Sequence, residues 1–102
     1  RGLRRVEDFA HAPALVAQYR PAVVLLDIDL PGGVNALDLL LQMVRDTPDS
    51  RVIVFTGYPT GELVARTMAA GAWGFVSKGT SSDRLIDAIH RVVSGDAVIA
   101  VE

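Results

Sequence analysis

Short apolar runs without internal alternation and longer segments with apolar residues three and four apart follow one another along this chain. Residues 22–26 (AVVLL) run into Asp27, residues 51–55 (RVIVF) into Thr56, and residues 73–77 (WGFVS) into Lys78. Runs so short and so apolar fit strands, and the first reads as buried on both faces, as in a parallel sheet. Pro31, Gly32 and Gly33 break the chain after it, because proline lacks a ladder donor and glycine relaxes the backbone. Between the runs lie helical patterns. Residues 12–19 place Pro13 in a first turn and Leu15, Val16 and Tyr19 on one face, with Pro21 as the stop. Residues 36–46 carry a wide stripe of Leu37, Leu40, Leu41 and Val44, broadened by Leu39 and Met43. Asn35 stands before it as an N-cap, with Asp38 in a capping-box-like position and Pro48 beyond the end. Residues 61–70 open at Thr60, turn Leu63, Val64, Thr67 and Met68 inward, and end at Gly71. The last helix opens at Thr80, Ser81 or Ser82, carries Leu85, Ile89, Val92 and Val93, and stops at Gly95. At the margins, residues 1–5 suit the end of a helix and 6–9 a short strand, while 97–101 suit a small strand or a linker. Strand and helix in strict alternation, with short connections, predict an α/β fold: a parallel sheet with helices on both faces.

Composition narrows the class. At 102 residues the chain is one domain at most, and with half its residues hydrophobic it can build a core. The net charge is −2, and the only basic cluster, Arg1, Arg4 and Arg5, reads as a solvated end rather than a nucleic-acid patch. Without cysteine there is no disulfide framework and no thiolate metal site, which is compatible with a reducing cytoplasm. No apolar run reaches the roughly 20 residues of a membrane span, and no signal peptide is visible. Because Arg1 stands where a methionine would open a natural chain, the sequence is expected to begin downstream of the natural start.

The chemistry lies at the strand ends. Three successive strands end in Asp27, Thr56 and Lys78, and each strand–helix unit is close to the roughly 30 residues of a crossover. Parallel strands put their C-terminal ends on one edge, where open α/β sheets bind ligands. A carboxylate, a hydroxyl and an ammonium meeting there suit an acidic nucleophile that receives a phosphoryl group. The lysine neutralises one phosphoryl oxygen and the threonine hydroxyl hydrogen-bonds another. A divalent cation, Mg²⁺ above all, would bring the two anions together and would need oxygens beyond Asp27. Singly, each of these residues reads as a cap, a turn residue or a solvated charge; their coincidence on consecutive strand ends carries the functional reading.

Residues 23–32 (VVLLDIDLPG), 52–58 (VIVFTGY) and 71–78 (GAWGFVSK), with the final helix, resemble the receiver domain of a two-component response regulator. The closing stretch (RLIDAIHRVVSGDAVIA) is similar to receivers that precede a LuxR-type helix-turn-helix DNA-binding domain, none of which is present in these residues. The resemblance implies a flavodoxin-like (CheY-like) doubly wound parallel sheet. It implies that Asp27 is the phosphoacceptor served by a sensor histidine kinase, and that Thr56 and Lys78 contact the phosphoryl group. Asp27 and the backbone carbonyl of Asp29 would hold Mg²⁺, while Asp29 and Tyr58 would flank the site and tune dephosphorylation. Thr56 and Phe75 would form the switch: Thr56 moves toward the phosphate and Phe75 fills the space it leaves, remodelling a face built by the last helices and the strand between them. Phe75 reads equally as plain core. The family further implies a cytoplasmic, homodimeric transcription regulator that is not itself an enzyme, and that touches DNA only through the absent domain.

The sequence departs from the family at its start. A receiver opens with a strand ending in two acidic residues that hold Mg²⁺, and neither is found; Glu7 and Asp8 lie too close to Asp27 for the intervening elements. Residues 1–102 then correspond to a receiver lacking its first strand and most of its first helix. Two other readings stand beside this one. Asp27-Ile28-Asp29 also resembles the aspartate pair of haloacid-dehalogenase-like phosphatases, with a strand-end threonine and lysine to follow. Pro31 departs from their motif, though, and Asp96 and Glu102 are poor substitutes for their later acidic motif. A receiver-fold interaction module that is never phosphorylated is the third.

Overall fold

The computed structural model describes residues 11–29 and 35–101. The helix end and strand read at residues 1–9, and the Pro31-Gly32-Gly33 break, lie outside the described residues. The elements run α1 (Ala12–Tyr19), β1 (Val23–Asp27), α2 (Ala36–Asp46), β2 (Arg51–Thr56), α3 (Gly61–Ala69), β3 (Gly74–Ser77), α4 (Ser82–Val93) and β4 (Val98–Ala100). The described strands form one parallel sheet in the order β1-β2-β3-β4. This is the doubly wound arrangement read from the sequence.

Alternation along the strands builds two cores. On one face Leu26, Val52, Val54 and Phe75 pack with Val16, Leu39, Leu40 and Met43, and with the half-buried Leu63, Val64 and Met68. On the other, Ile53 and Val76 pack with Ala88 and Val92, flanked by Leu85 and Ile89. Neighbours in sequence thus feed opposite faces, as a period of two requires. Helices α1, α2 and α3 cover the first face and α4 the second. The β3–α4–β4 crossover therefore has the opposite hand to the two before it.

The caps explain where the helices begin. Asn35 Oδ1 accepts from the N–H groups of Leu37 and Asp38, Thr60 Oγ1 from Leu63, and Ser81 Oγ from Arg84. Of the three candidate caps for the last helix, Ser81 is the one used. Gly71 turns the chain out of α3 at φ +109°, and a Cβ there would stand 2.8 Å from Val44 Cγ1, so both conformation and space demand glycine.

Several details differ from the sequence reading. β1 is the outermost described strand, and Leu25 on it is 43% exposed. An apolar run looks the same whether or not a second neighbour covers it. Helix α2 buries Ala36, Leu39, Leu40 and Met43 and leaves Leu41 exposed. Leu41 lies about 100° around the helix from Leu40, outside the stripe that faces the sheet. Likewise α4 buries Ala88 and Val92 while Val93 is exposed, and Tyr19 of α1 is exposed beside buried Ala12 and Val16.

Arg51 fastens α4 to the sheet. Its Nη1 donates to the carbonyls of Val92 (2.8 Å) and Val93 (3.0 Å), and its guanidinium lies 4.5 Å from the centre of the Trp73 ring. A cation at a helix C-terminus satisfies otherwise orphaned carbonyls and complements the helix dipole. Replacing Arg51 with alanine is expected to lower unfolding stability in urea by about 1.5–3 kcal/mol, the worth of hydrogen bonds to a charged group. Lysine at this position recovers only part of the loss, because an ammonium lacks the stacking plane.

Candidate functional site

The parallel register brings three strand ends to one rim. β1 closes on Asp27, opposite Phe55, and the Ile28 N–H continues the ladder to the Phe55 carbonyl (3.0 Å). β2 closes on Thr56, opposite Ser77, and the Lys78 N–H donates to the Thr56 carbonyl (2.8 Å). The backbone thus delivers a carboxylate, a hydroxyl and an ammonium to the same edge.

Their side chains meet through Asp29. Lys78 Nζ lies 2.9 Å from Asp27 Oδ2 and 3.0 Å from Asp29 Oδ2. The Thr56 hydroxyl donates to Asp29 Oδ1 (2.7 Å), and the Gly57 N–H donates to Asp29 Oδ2 (2.8 Å). Asp27 Oδ1 accepts from the Asp29 N–H (2.8 Å), which pins the turn between the two carboxylates. The Tyr58 N–H donates in turn to Thr56 Oγ1 (3.1 Å).

Exposure sorts these groups. Thr56 is fully buried, while the side chains of Asp27, Lys78 and Asp29 are 44%, 35% and 22% exposed. Of these side chains Asp27 is the most open to solvent. Partial burial pushes the Asp29 carboxyl up, but the Gly57 N–H, the Thr56 hydroxyl and the Lys78 ammonium outweigh it and hold the group below the usual aspartate value. Hydrogen bonds to Asp27 and Asp29 hold the Lys78 ammonium above its ordinary value, against a smaller opposing effect of burial. Lys78 Nζ also lies 5.8 Å from the centre of the Phe55 ring.

The other candidates lie around this cluster. Tyr58 is 74% exposed on the rim, so its backbone is tied to the site while its side chain is open to solvent. Phe75 is wholly buried, opposite Val54 in the register and in the core on the face covered by α1, α2 and α3. Three features were missed in the sequence: the Asp29 side chain as the hub, the Gly57 N–H, and a link behind Lys78. In that link the Thr80 hydroxyl donates to the Ala100 carbonyl (3.2 Å) and shares a hydrogen bond with Ser77 Oγ (3.2 Å). It ties the loop bearing Lys78 to β4. A glycine directly after a strand-end threonine was the available signal for Gly57, since such a turn leaves an amide free to donate.

Chemically, the rim combines an accessible carboxylate with donors aimed at an anion: a hydroxyl, a backbone amide and an ammonium. Such a set can support attack by a carboxylate and stabilise negative oxygens around it.

Comparison with known proteins gives the same architecture and a family. Residues 3–90 match the model described as the response regulator receiver domain. The chain is 37% identical over 78 residues to the response regulator UvrY of Escherichia coli (strain K12), covering 76% of this chain and 35% of that protein. It is 33% identical over 86 residues to the response regulator GacA of Pseudomonas aeruginosa, covering 84% of this chain and 40% of that protein. The crystal structure of a LuxR-family two-component response regulator from Aurantimonas sp. SI85-9A1 superposes with a TM-score of 0.85 at 23% identity, over 93% of this chain and 67% of that one. The chain spans 35–42% of the length of the curated relatives it matches.

Proposed function

The chain belongs to the response regulator receiver domain family, and from that premise we propose that it is a phosphoacceptor whose nucleophile is Asp27. The carrying observation is the meeting of the exposed Asp27 carboxylate with the Lys78 ammonium at 2.9 Å, on the rim where Thr56 and Gly57 direct their donors. An Asp27 oxygen attacks the phosphorus of a phosphohistidine on a sensor kinase. The O–P bond forms as the P–N bond breaks, and the imidazole leaves with the bonding pair and takes a proton from solvent. The product is an acyl phosphate on Asp27. Lys78 neutralises one phosphoryl oxygen, and the Thr56 hydroxyl and Gly57 N–H receive others.

Receiver domains typically bind Mg²⁺. The Asp27 carboxylate and the Asp29 backbone carbonyl would hold it here; they are hard oxygen donors suited to a cation that keeps several waters. Among the described residues no cluster of three or more His, Cys, Asp or Glu side chains joins them, so the described part of the site offers a sparse protein ligand set. When bound, the ion offsets the charge between the carboxylate and the incoming phosphoryl group.

Thr56 and Phe75 are the switch in this reading, with Asp29 and Tyr58 setting the lifetime of the modified state. The output is a change in the face formed by α3, β3 and α4, read by a second copy of the chain or by a LuxR-type DNA-binding domain that controls transcription. A cytoplasmic location follows from the kinase partner; among the described residues no helix is long and apolar enough to cross a membrane.

The test is exposure to acetyl phosphate with Mg²⁺. The expected result is at most one hydroxylamine-labile phosphoryl group per chain, located on Asp27 by peptide mapping. Continuous release of phosphate from a simple aryl phosphate, with no trapped label, would instead favour the phosphatase reading. Neither label nor turnover would leave the unphosphorylated interaction module.

A further inference from the structure

We propose that the Asp29 carboxylate is an internal occupant of the phosphoryl-binding cradle, which an incoming phosphoryl group must displace. The proposal rests on the phosphoacceptor reading and concerns the regulation of that same site. Three donors that would receive phosphoryl oxygens are already engaged by one side chain: the Thr56 hydroxyl at 2.7 Å, the Gly57 N–H at 2.8 Å and the Lys78 ammonium at 3.0 Å. Asp29 Oδ1 takes the first and Oδ2 takes the other two, so both of its oxygens are in use. The cradle is therefore filled in the unmodified protein by an anion the chain supplies itself.

The consequences follow from charge and hydrogen-bond capacity. A hydroxyl and an amide each have one hydrogen to give, so neither serves Asp29 and a phosphoryl oxygen at full strength together. Lys78 is shared between Asp27 and Asp29, so neutralising a third anion dilutes its charge further. A phosphoryl group on Asp27 also stands beside the Asp29 charge, and like charges held this close are costly in a partly desolvated site. The phosphoryl thus gains the cradle only as the Asp29 side chain gives it up. Nothing blocks that exit by burial alone, since the side chain keeps contact with solvent. Asp29 acts on the reaction through Thr56, Gly57 and Lys78, and is in that sense a positioning residue whose negative charge competes with the substrate.

The experiment compares wild type, Asp29→Ala and Asp29→Asn. It uses beryllofluoride at saturating Mg²⁺ as a phosphoryl analogue that is not hydrolysed, followed by acetyl phosphate. Removing the competitor is expected to tighten beryllofluoride binding by about tenfold or more in the alanine variant, the factor that one charge-assisted hydrogen bond supplies. Asparagine keeps an acceptor oxygen but not the charge, and is expected to fall between the two. The initial rate of phosphoryl uptake at low acetyl phosphate should rise in the same order. Thermal melts of all three establish that they fold. A merely structural role for Asp29 would lower the melting temperature without tightening the analogue. If both folded variants bind beryllofluoride no better than wild type, while wild type accepts phosphate, the competition is refuted and the phosphoacceptor reading stands. If none of the three takes either reagent, both fall together.

Discussion

Replacing Asp27 with asparagine is expected to abolish phosphoryl acceptance with little loss of stability. An amide oxygen is not a carboxylate nucleophile, so no acyl phosphate can form at this position. The substitution is otherwise nearly isosteric. The amide oxygen can still accept the Asp29 N–H, now 2.8 Å from Asp27 Oδ1, and Lys78 keeps Asp29 Oδ2 as a partner at 3.0 Å. What is lost is one half-exposed ion pair, worth about 1 kcal/mol or less. Acetyl phosphate labelling followed by mass spectrometry should show complete loss of the label, with the melting curve close to that of wild type. A label that persists on another residue of the rim would move the nucleophile away from Asp27 and refute the assignment.

The second large effect separates the core from the rim. Leu40→Ala is expected to lower unfolding stability by about 2–5 kcal/mol. Leu40 is wholly buried among Met43, Val52, Val54 and Phe75, where a close-packed core relaxes poorly around a void. Against the roughly 5–15 kcal/mol that holds a typical domain together, that removes much of the margin. Lys78→Ala should have the reverse profile. Its ammonium is partly exposed, and Asp29 keeps the Thr56 and Gly57 donors, so the cost in urea unfolding is about 1 kcal/mol or less. Phosphoryl uptake, by contrast, should fall about a hundredfold, as when a donor to developing negative charge is removed elsewhere. If Lys78→Ala proves as destabilising as Leu40→Ala, the lysine is a structural group and its place in the chemistry is lost.

Much of this was legible in the sequence, and the reasons are physical. Asp27, Thr56 and Lys78 could be placed on one rim because parallel strands in short crossovers leave few alternatives for where their ends lie. The helix caps Asn35 and Thr60 were legible because a side-chain oxygen before an apolar stripe has a local purpose. What was not legible depends on contacts distant in sequence. The exposure of Leu25 depends on what lies beside β1, and nothing in the run of residues 22–26 encodes that. The sequence places Asp29 beside the site, with its carbonyl toward a metal and a part in tuning dephosphorylation, but does not show that its side chain joins the other groups. Its side-chain role depends on a turn that swings it over Thr56 and Gly57, residues 27 and 28 positions away. Leu41 was misassigned for a simpler reason: a leucine-rich helix offers several stripes, and the sheet selects one.

The Arg51 clamp has a practical consequence. Trp73 is the only tryptophan in the chain. It stands just before β3 under the Arg51 guanidinium, about 16 Å from Lys78 if the chain is extended at roughly 3.3 Å per residue. The indole is thus a native fluorophore mounted far from the carboxylates, and its emission reports the seating of α4 rather than events at Asp27. Any spectral shift that accompanied modification of Asp27 would therefore mean that a rearrangement had crossed the full height of the sheet.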